Sequence, residues 1–256
     1  MNEERNTEYT IMEGYELPSG GEIYSVPVNK HVELRSMTAR DEMKRLSPSS
    51  TPLKTLADII EGCLIEKLGI SVYDLCLGDY EYLLHKLRII TYGPDYKVVA
   101  KCPECGEIVE TVANLDALEM KEFNKETYES YRTFVLPKSK KTIVLKPLTP
   151  RIMDEIDSRT KEMRRRYKNA GFDFETLAKL ELSIESIDGT LPNHHELENI
   201  INNLPAADML KIMNNQERLN QCIGLENLIY LTCPKCSEEF TSFFRFGPEF
   251  FRPTDL

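Results

Sequence analysis

The sequence predicts an α+β fold that is internally duplicated, each unit holding a hairpin, several helices and a cysteine-bearing turn. Three observations carry that expectation. Two C-P-x-C motifs stand far apart, at Cys102-Pro103-Glu104-Cys105 and Cys233-Pro234-Lys235-Cys236. A collinear repeat runs up to both of them. Between hairpin and motif, apolar residues recur at helical spacing.

The two motifs read as zinc knuckles. A structural zinc takes four soft ligands in a tetrahedron, and two turns with Cys at i and i+3 supply them. Strand-like stretches flank each turn, Lys97 to Lys101 and Glu107 to Val112 in one case, Asn227 to Thr232 and Glu239 to Phe244 in the other. Knuckles that face one another from distant segments make a zinc-ribbon-like site, so Cys102, Cys105, Cys233 and Cys236 are expected to share one structural Zn²⁺ per chain. A separate site for each pair, completed by His31, His85, His194 or His195, is the alternative. A redox C-x-x-C would open a helix after a strand, and neither motif does. Four thiolates also leave no open position for water, which argues against a catalytic metal. The site would then clasp the 127 residues between Cys105 and Cys233 (233 − 105 − 1).

The repeat is read from two shifts. An offset of 131 aligns residues 93–102 with 224–233, and an offset of 111 aligns Val32 to Arg40 with Ile143 to Arg151. Leu17-Pro18 and Leu136-Pro137 open the two units. The difference between the offsets places about twenty extra residues in the second helical stretch. Residues 1–12 are expected as a mobile segment, 13–118 as the first unit, 119–134 as a linker, 135–247 as the second unit and 248–256 as a C-terminal tail.

The helices follow in order. Thr38 and Thr149 are good N-caps, and Pro150 suits the first helical position, where its missing N–H costs nothing. Leu53, Leu56, Ile59, Ile60, Cys63, Leu64 and Leu68 form one apolar stripe, closed by Gly69. Asp79 is read as the cap of a helix that buries Leu83, Leu84, Leu87 and Ile90 and stops at Gly93-Pro94. In the second unit, helices are expected over 150–168, 174–187, 195–203 and 206–222, punctuated by Asp188-Gly189 and Leu204-Pro205.

Composition bounds the function. The chain has 256 residues, 41% of them apolar and 29% charged, ordinary for a folded soluble protein. No apolar run approaches the roughly 18 residues of a membrane span, and no signal peptide follows Met1. The 32 basic and 42 acidic residues give a net charge of −10, which argues against a general nucleic-acid coat. Seven cysteines, an odd number without an export signal, are not a disulfide framework, and Cys63, Cys76 and Cys222 are expected as small buried hydrophobes. Arg164-Arg165-Arg166-Tyr167-Lys168 could meet phosphate but reads better as a solvated helix end that complements the dipole. It leaves a zinc-ribbon nucleic-acid-binding protein of replication or transcription as the competing function. His194-His195 reads as a surface pair. No P-loop, dinucleotide fingerprint, G-x-S-x-G or H-E-x-x-H is present, so no catalytic residue is named. The aromatic run from Phe243 to Pro253 is expected partly as a last strand and partly as a partner-binding tail carrying Phe246, Phe250 and Phe251.

A family resemblance rests on longer stretches. Glu16-Leu17-Pro18-Ser19-Gly20-Gly21-Glu22-Ile23-Tyr24 and Leu34-Arg35-Ser36-Met37-Thr38-Ala39-Arg40-Asp41-Glu42 begin it, and Gly78 to Arg88, Ile89 to Tyr96 and Cys102 to Cys105 continue it. The pattern resembles the baseplate hub and hub-assembly proteins of T-even-type contractile-tailed bacteriophages, most strongly over Tyr15 to Cys105 and at Cys233 to Cys236. The resemblance implies a non-enzymatic protein that is either a hub component or an assembly factor. Its partners would be other baseplate hub subunits, with no small-molecule substrate. It would act in the host cytoplasm during assembly or in the tail baseplate of the virion.

Overall fold

The computed structural model describes residues 10–168, 171–243 and 248–251. Strand β1 (Met12–Glu16) pairs antiparallel with β2 (His31–Arg35), Tyr15 opposite Val32. Leu17 sits in the loop between them, donates its N–H to the Lys30 carbonyl at 2.9 Å and is buried. Helices α1 (Ala39–Leu46), α2 (Pro52–Cys63) and α3 (Leu77–Tyr92) follow, then the ribbon of β3 (Asp95–Lys101) and β4 (Ile108–Asn114). Thr38 caps α1 in a reciprocal box with Asp41, and Gly93 ends α3 at a φ of 85° that a side chain would disfavour.

The second half runs in the same order, with additions. Helix α4 (Lys125–Arg132) occupies the stretch expected as a linker, and its Tyr128 is buried. Strands β5 (Thr133–Val135) and β6 (Thr142–Leu145) make the hairpin, with Leu136 buried at its turn as Leu17 is in the first. Thr149 caps α5 (Pro150–Arg166), accepting from the Ile152 N–H at 3.2 Å. Helix α6 (Phe174–Ser183) stops short of the expected end. Residues 184–187 form β7 (Ile184–Ile187), which joins the hairpin as a third strand with Ile187 opposite Ile143. A run of Ile at 184 and 187 satisfies a helical stripe and a strand equally, and the free edge of β6 decides it. Helices α7 (His194–Asn202) and α8 (Ala206–Gln221) lead to the ribbon of β8 (Leu228–Thr232) and β9 (Glu239–Phe243). No described helix is long and apolar enough to cross a membrane.

Asp79 is not an N-cap. Cys76 holds that place, and Asp79 lies three residues in, where its carboxylate accepts from the Ser19 N–H at 2.9 Å, the Ser19 hydroxyl at 2.5 Å and the Tyr24 hydroxyl at 2.6 Å. Asp208 has the same place in α8 and accepts the N–H groups of Lys138 and Ser139 at 2.8 Å each. Each carboxylate therefore ties the start of the last helix to the loop after its Leu-Pro. Burial pushes both up. At Asp79 burial prevails, whereas at Asp208 the two amides outweigh it and hold the carboxyl below its usual range.

The halves interpenetrate. Asp154 on α5 accepts the Lys54 N–H at 3.0 Å, at the start of α2, and the Tyr73 hydroxyl at 3.0 Å. Gly78 lies so close to the Ile223 carbonyl that a Cβ there would meet its oxygen at 2.5 Å. Leu225, Leu231, Phe250 and Phe251 complete the core of the first half, and Cys76 enters that of the second.

The expectation of exposed rings at Phe250 and Phe251 is thus corrected. Phe246 lies outside the described residues, but Phe250 and Phe251 are 0% and 1% exposed and offer no partner a surface. Arg88, 1% exposed, explains why. Its guanidinium donates to the carbonyls of Gly93 at 2.5 Å, Asp95 at 2.9 Å and Phe250 at 3.2 Å. It also lies over the rings of Tyr96 and Phe250, at 5.3 and 5.8 Å. Buried charge needs such partners, and the final turn supplies two of them.

His85 on α3 is fully buried, with Nε2 2.9 Å from the Leu115 carbonyl. Burial, aided by Lys86, pushes its imidazole down to about 4. The unfolded chain then binds the extra proton first, so this contribution is whole above about pH 6.5 and fades as pH falls toward about 4. Urea unfolding should show wild type losing about 2 kcal/mol through this group between about pH 7 and about pH 5, a component that His85→Gln removes. An unchanged acid slope in the variant would contradict it.

Candidate metal centre

The two knuckles have one local geometry. In each, the first Cys follows the end of a strand and closes a turn onto the residue five further on. Cys102 N–H donates to Glu107 O and Cys233 N–H to Glu238 O, both at 2.8 Å. The residue after the second Cys takes a left-handed conformation, Gly106 at φ 72° and Ser237 at φ 61°, and donates back to the first Cys carbonyl at 3.1 and 2.9 Å. The β3–β4 and β8–β9 ribbons then bring the turns face to face.

All four sulfurs lie within 4.8 Å of one another. The cross-pairs Cys102–Cys236 and Cys105–Cys233 are both 3.6 Å apart. A disulfide would need about 2.05 Å, and all seven cysteines are free thiols. Four thiolates at about 2.3 Å from one central ion would stand about 3.8 Å apart. The donor set therefore fits a single tetrahedral metal ion. Cys102 and Cys233 are buried against Val109 and Phe240, while Cys105 and Cys236 face solvent. Lys235 reaches across to Glu107 at 2.9 Å and joins the turns again at the rim.

The electrostatics agree with that chemistry. The N–H groups of Cys236 and Lys235 favour a thiolate at Cys233 and draw its thiol down to about 7. Although the Glu238 amide favours charge at Cys236, the neighbouring sulfurs, with burial, push that thiol up to about 12. Four thiolates at one point would repel, and a cation between them would remove the conflict.

No histidine joins this cluster among the described residues. His85 is buried at Leu115, and the exposed rings of His194 and His195 stack on each other at 5.8 Å, the first near Glu181. Cys63 and Cys76 are buried, and Cys222 is half-buried with its Sγ 3.1 Å from the Leu219 carbonyl. At the basic end of α5, Arg164 meets Glu175 at 3.8 Å and Arg166 lies over the Tyr167 ring at 5.6 Å. Sequence reasoning did not single out Arg88 or Asp208, and it gave Asp79 only the role of a helix cap. A basic or acidic residue on the apolar side of α3, among Leu84, Leu87 and Ile90, is the signal that could have found Arg88.

Two β-ribbons that present four thiols to one point define the class of this chain: an α+β protein cross-tied by cysteine knuckles. Comparison supplies the family. The family model described as T4 bacteriophage base plate protein matches residues 12–252, and the chain belongs to that family. No curated protein and no solved structure matches it.

The knuckle geometry makes the αL positions asymmetric. Gly106→Ala should cost about 1 kcal/mol by urea unfolding, whereas Ser237→Gly should be neutral or mildly stabilising. A neutral Gly106→Ala, or a Ser237→Gly that destabilises by about 1 kcal/mol, would refute the shared turn conformation.

Proposed function

We propose that the chain is a non-enzymatic protein of the phage tail baseplate, a component of the central hub or a factor that assembles it. It acts by binding other hub subunits, and one structural zinc holds its two knuckles together. The observation that carries the role is the family match over residues 12–252. The mutual distances of Cys102, Cys105, Cys233 and Cys236 support the metal, and all-thiolate ligation in a closed shell favours zinc. On this reading the ion supplies a cross-link and no reaction, since no position remains for a substrate or water.

We read the two units, 13–118 and 135–247, as products of duplication. The paired Leu17 and Leu136, Thr38 and Thr149, Asp79 and Asp208, and Gly106 and Ser237 all support it. Neither unit could complete the metal site alone.

Elemental analysis of purified protein should give about one zinc per chain, lost on Cys233→Ser. Absence of zinc, or its retention in that variant, would falsify the metal assignment. Co-purification from infected cells should recover hub proteins with this chain. Failure to associate with any tail protein at any stage of assembly would sink the binding role, and mass spectrometry of purified virions separates a component from an assembly factor.

A further inference from the structure

Among the described residues, nothing pairs with the outer edge of β8 in the β8–β9 ribbon. Cys233 and Glu238 form a hydrogen-bonded pair, so strict alternation leaves the N–H and C=O groups of Tyr230 and Thr232 pointing away from β9. Soluble proteins blunt such edges with charge, proline or a bulge. The outer edge of β3 follows that rule, with Asp95, Lys97 and Lys101 along it. β8, Leu-Ile-Tyr-Leu-Thr, has no charge, no proline and an unbroken register, and Tyr230 is 83% exposed.

The chain itself begins to use this edge and then stops. Glu226 lies on the same side by alternation, and its N–H donates to the Glu119 carbonyl at 2.8 Å. Lys121 N–H donates to Gly224 O at 2.9 Å, and Met120 bridges Leu225 between them. Beyond Glu119 the segment turns away toward β4. The edge of β8 continues beside an open cleft of about 830 Å³ whose other wall includes Val112 and Asn114 of β4. Five residues of β8 give about 17 Å of pairing edge.

We propose that this cleft takes in an extended segment of another protein as an added strand on β8, with apolar residues at alternate positions and Lys or Arg between them. Charge selects that occupant. Among the described residues, the charged groups lining the cleft are two carboxylates, Glu119 and Glu226. A second copy of a chain with net charge −10 is disfavoured for the same reason. Main-chain bonds to β8 give affinity, and the side chains beside Val112 and Tyr230 give register. This deepens the protein-binding role proposed above and rests on it.

Fluorescence anisotropy with full-length protein and the labelled peptide KVTVKVTVK tests the idea. Saturable binding is expected, and Tyr230→Pro, which removes an N–H the ribbon itself does not use, should weaken it by about tenfold or more. Thr241→Pro makes the same change on the opposite edge and should leave binding intact. Should Tyr230→Pro fail to fold, Glu119→Lys with Glu226→Lys is the second variant. It should weaken KVTVKVTVK and favour the acidic peptide EVTVEVTVE. No saturable binding, or equal affinity for wild type and both edge variants, overturns the proposal. Because only purified protein and peptide are used, that failure is distinct from a failure to co-purify with hub proteins.

Discussion

The fold depends on bringing four sulfurs from two distant turns within 4.8 Å of one another. Thiolates at that spacing would repel unless a cation stood between them. Everything around it serves that convergence. Each turn is held by its own hydrogen bonds, and the two ribbons meet through Val109 and Phe240 behind the sulfurs and the Lys235–Glu107 pair at the rim. The exposed ion pair adds little by itself, so orientation comes from the buried contacts.

The rest of the chain ties the two ribbons together independently of any metal. Residues from the end of the chain fill the first core, and Arg88 fixes the last described turn through the Phe250 carbonyl. Asp154 caps a helix in the opposite half, and Gly78 lets the start of α3 press against the backbone at Ile223. The β8 edge beside the 830 Å³ cleft is where this packed body leaves a strand unpaired on one side among the described residues.

Local signals were legible in the sequence. The N-caps Thr38 and Thr149, the Pro150 start, the Gly93 stop and the knuckle turns all depend on residues close in the chain, and they form where their chemistry predicts. The four-cysteine cluster was legible too, because ligand spacing within each motif is a strong constraint. What depended on distant partners was not. Residues 184–187 became a strand because β6 offered an edge. Asp79 was drawn away from capping by Ser19 and Tyr24, some 60 and 55 residues earlier. Phe250 and Phe251 looked like an exposed tail because nothing nearby in sequence announces the buried guanidinium that receives them. The stretch 119–134 was expected as a linker, yet it holds α4, with Tyr128 buried.

The central claim is that one closed metal centre is shared by both ribbons. X-ray absorption at the zinc edge on the purified full-length protein tests it most directly. The account predicts a single shell of four sulfur neighbours at about 2.3 Å. A shell of two sulfurs completed by nitrogen or oxygen would place a separate ion on each knuckle and contradict it.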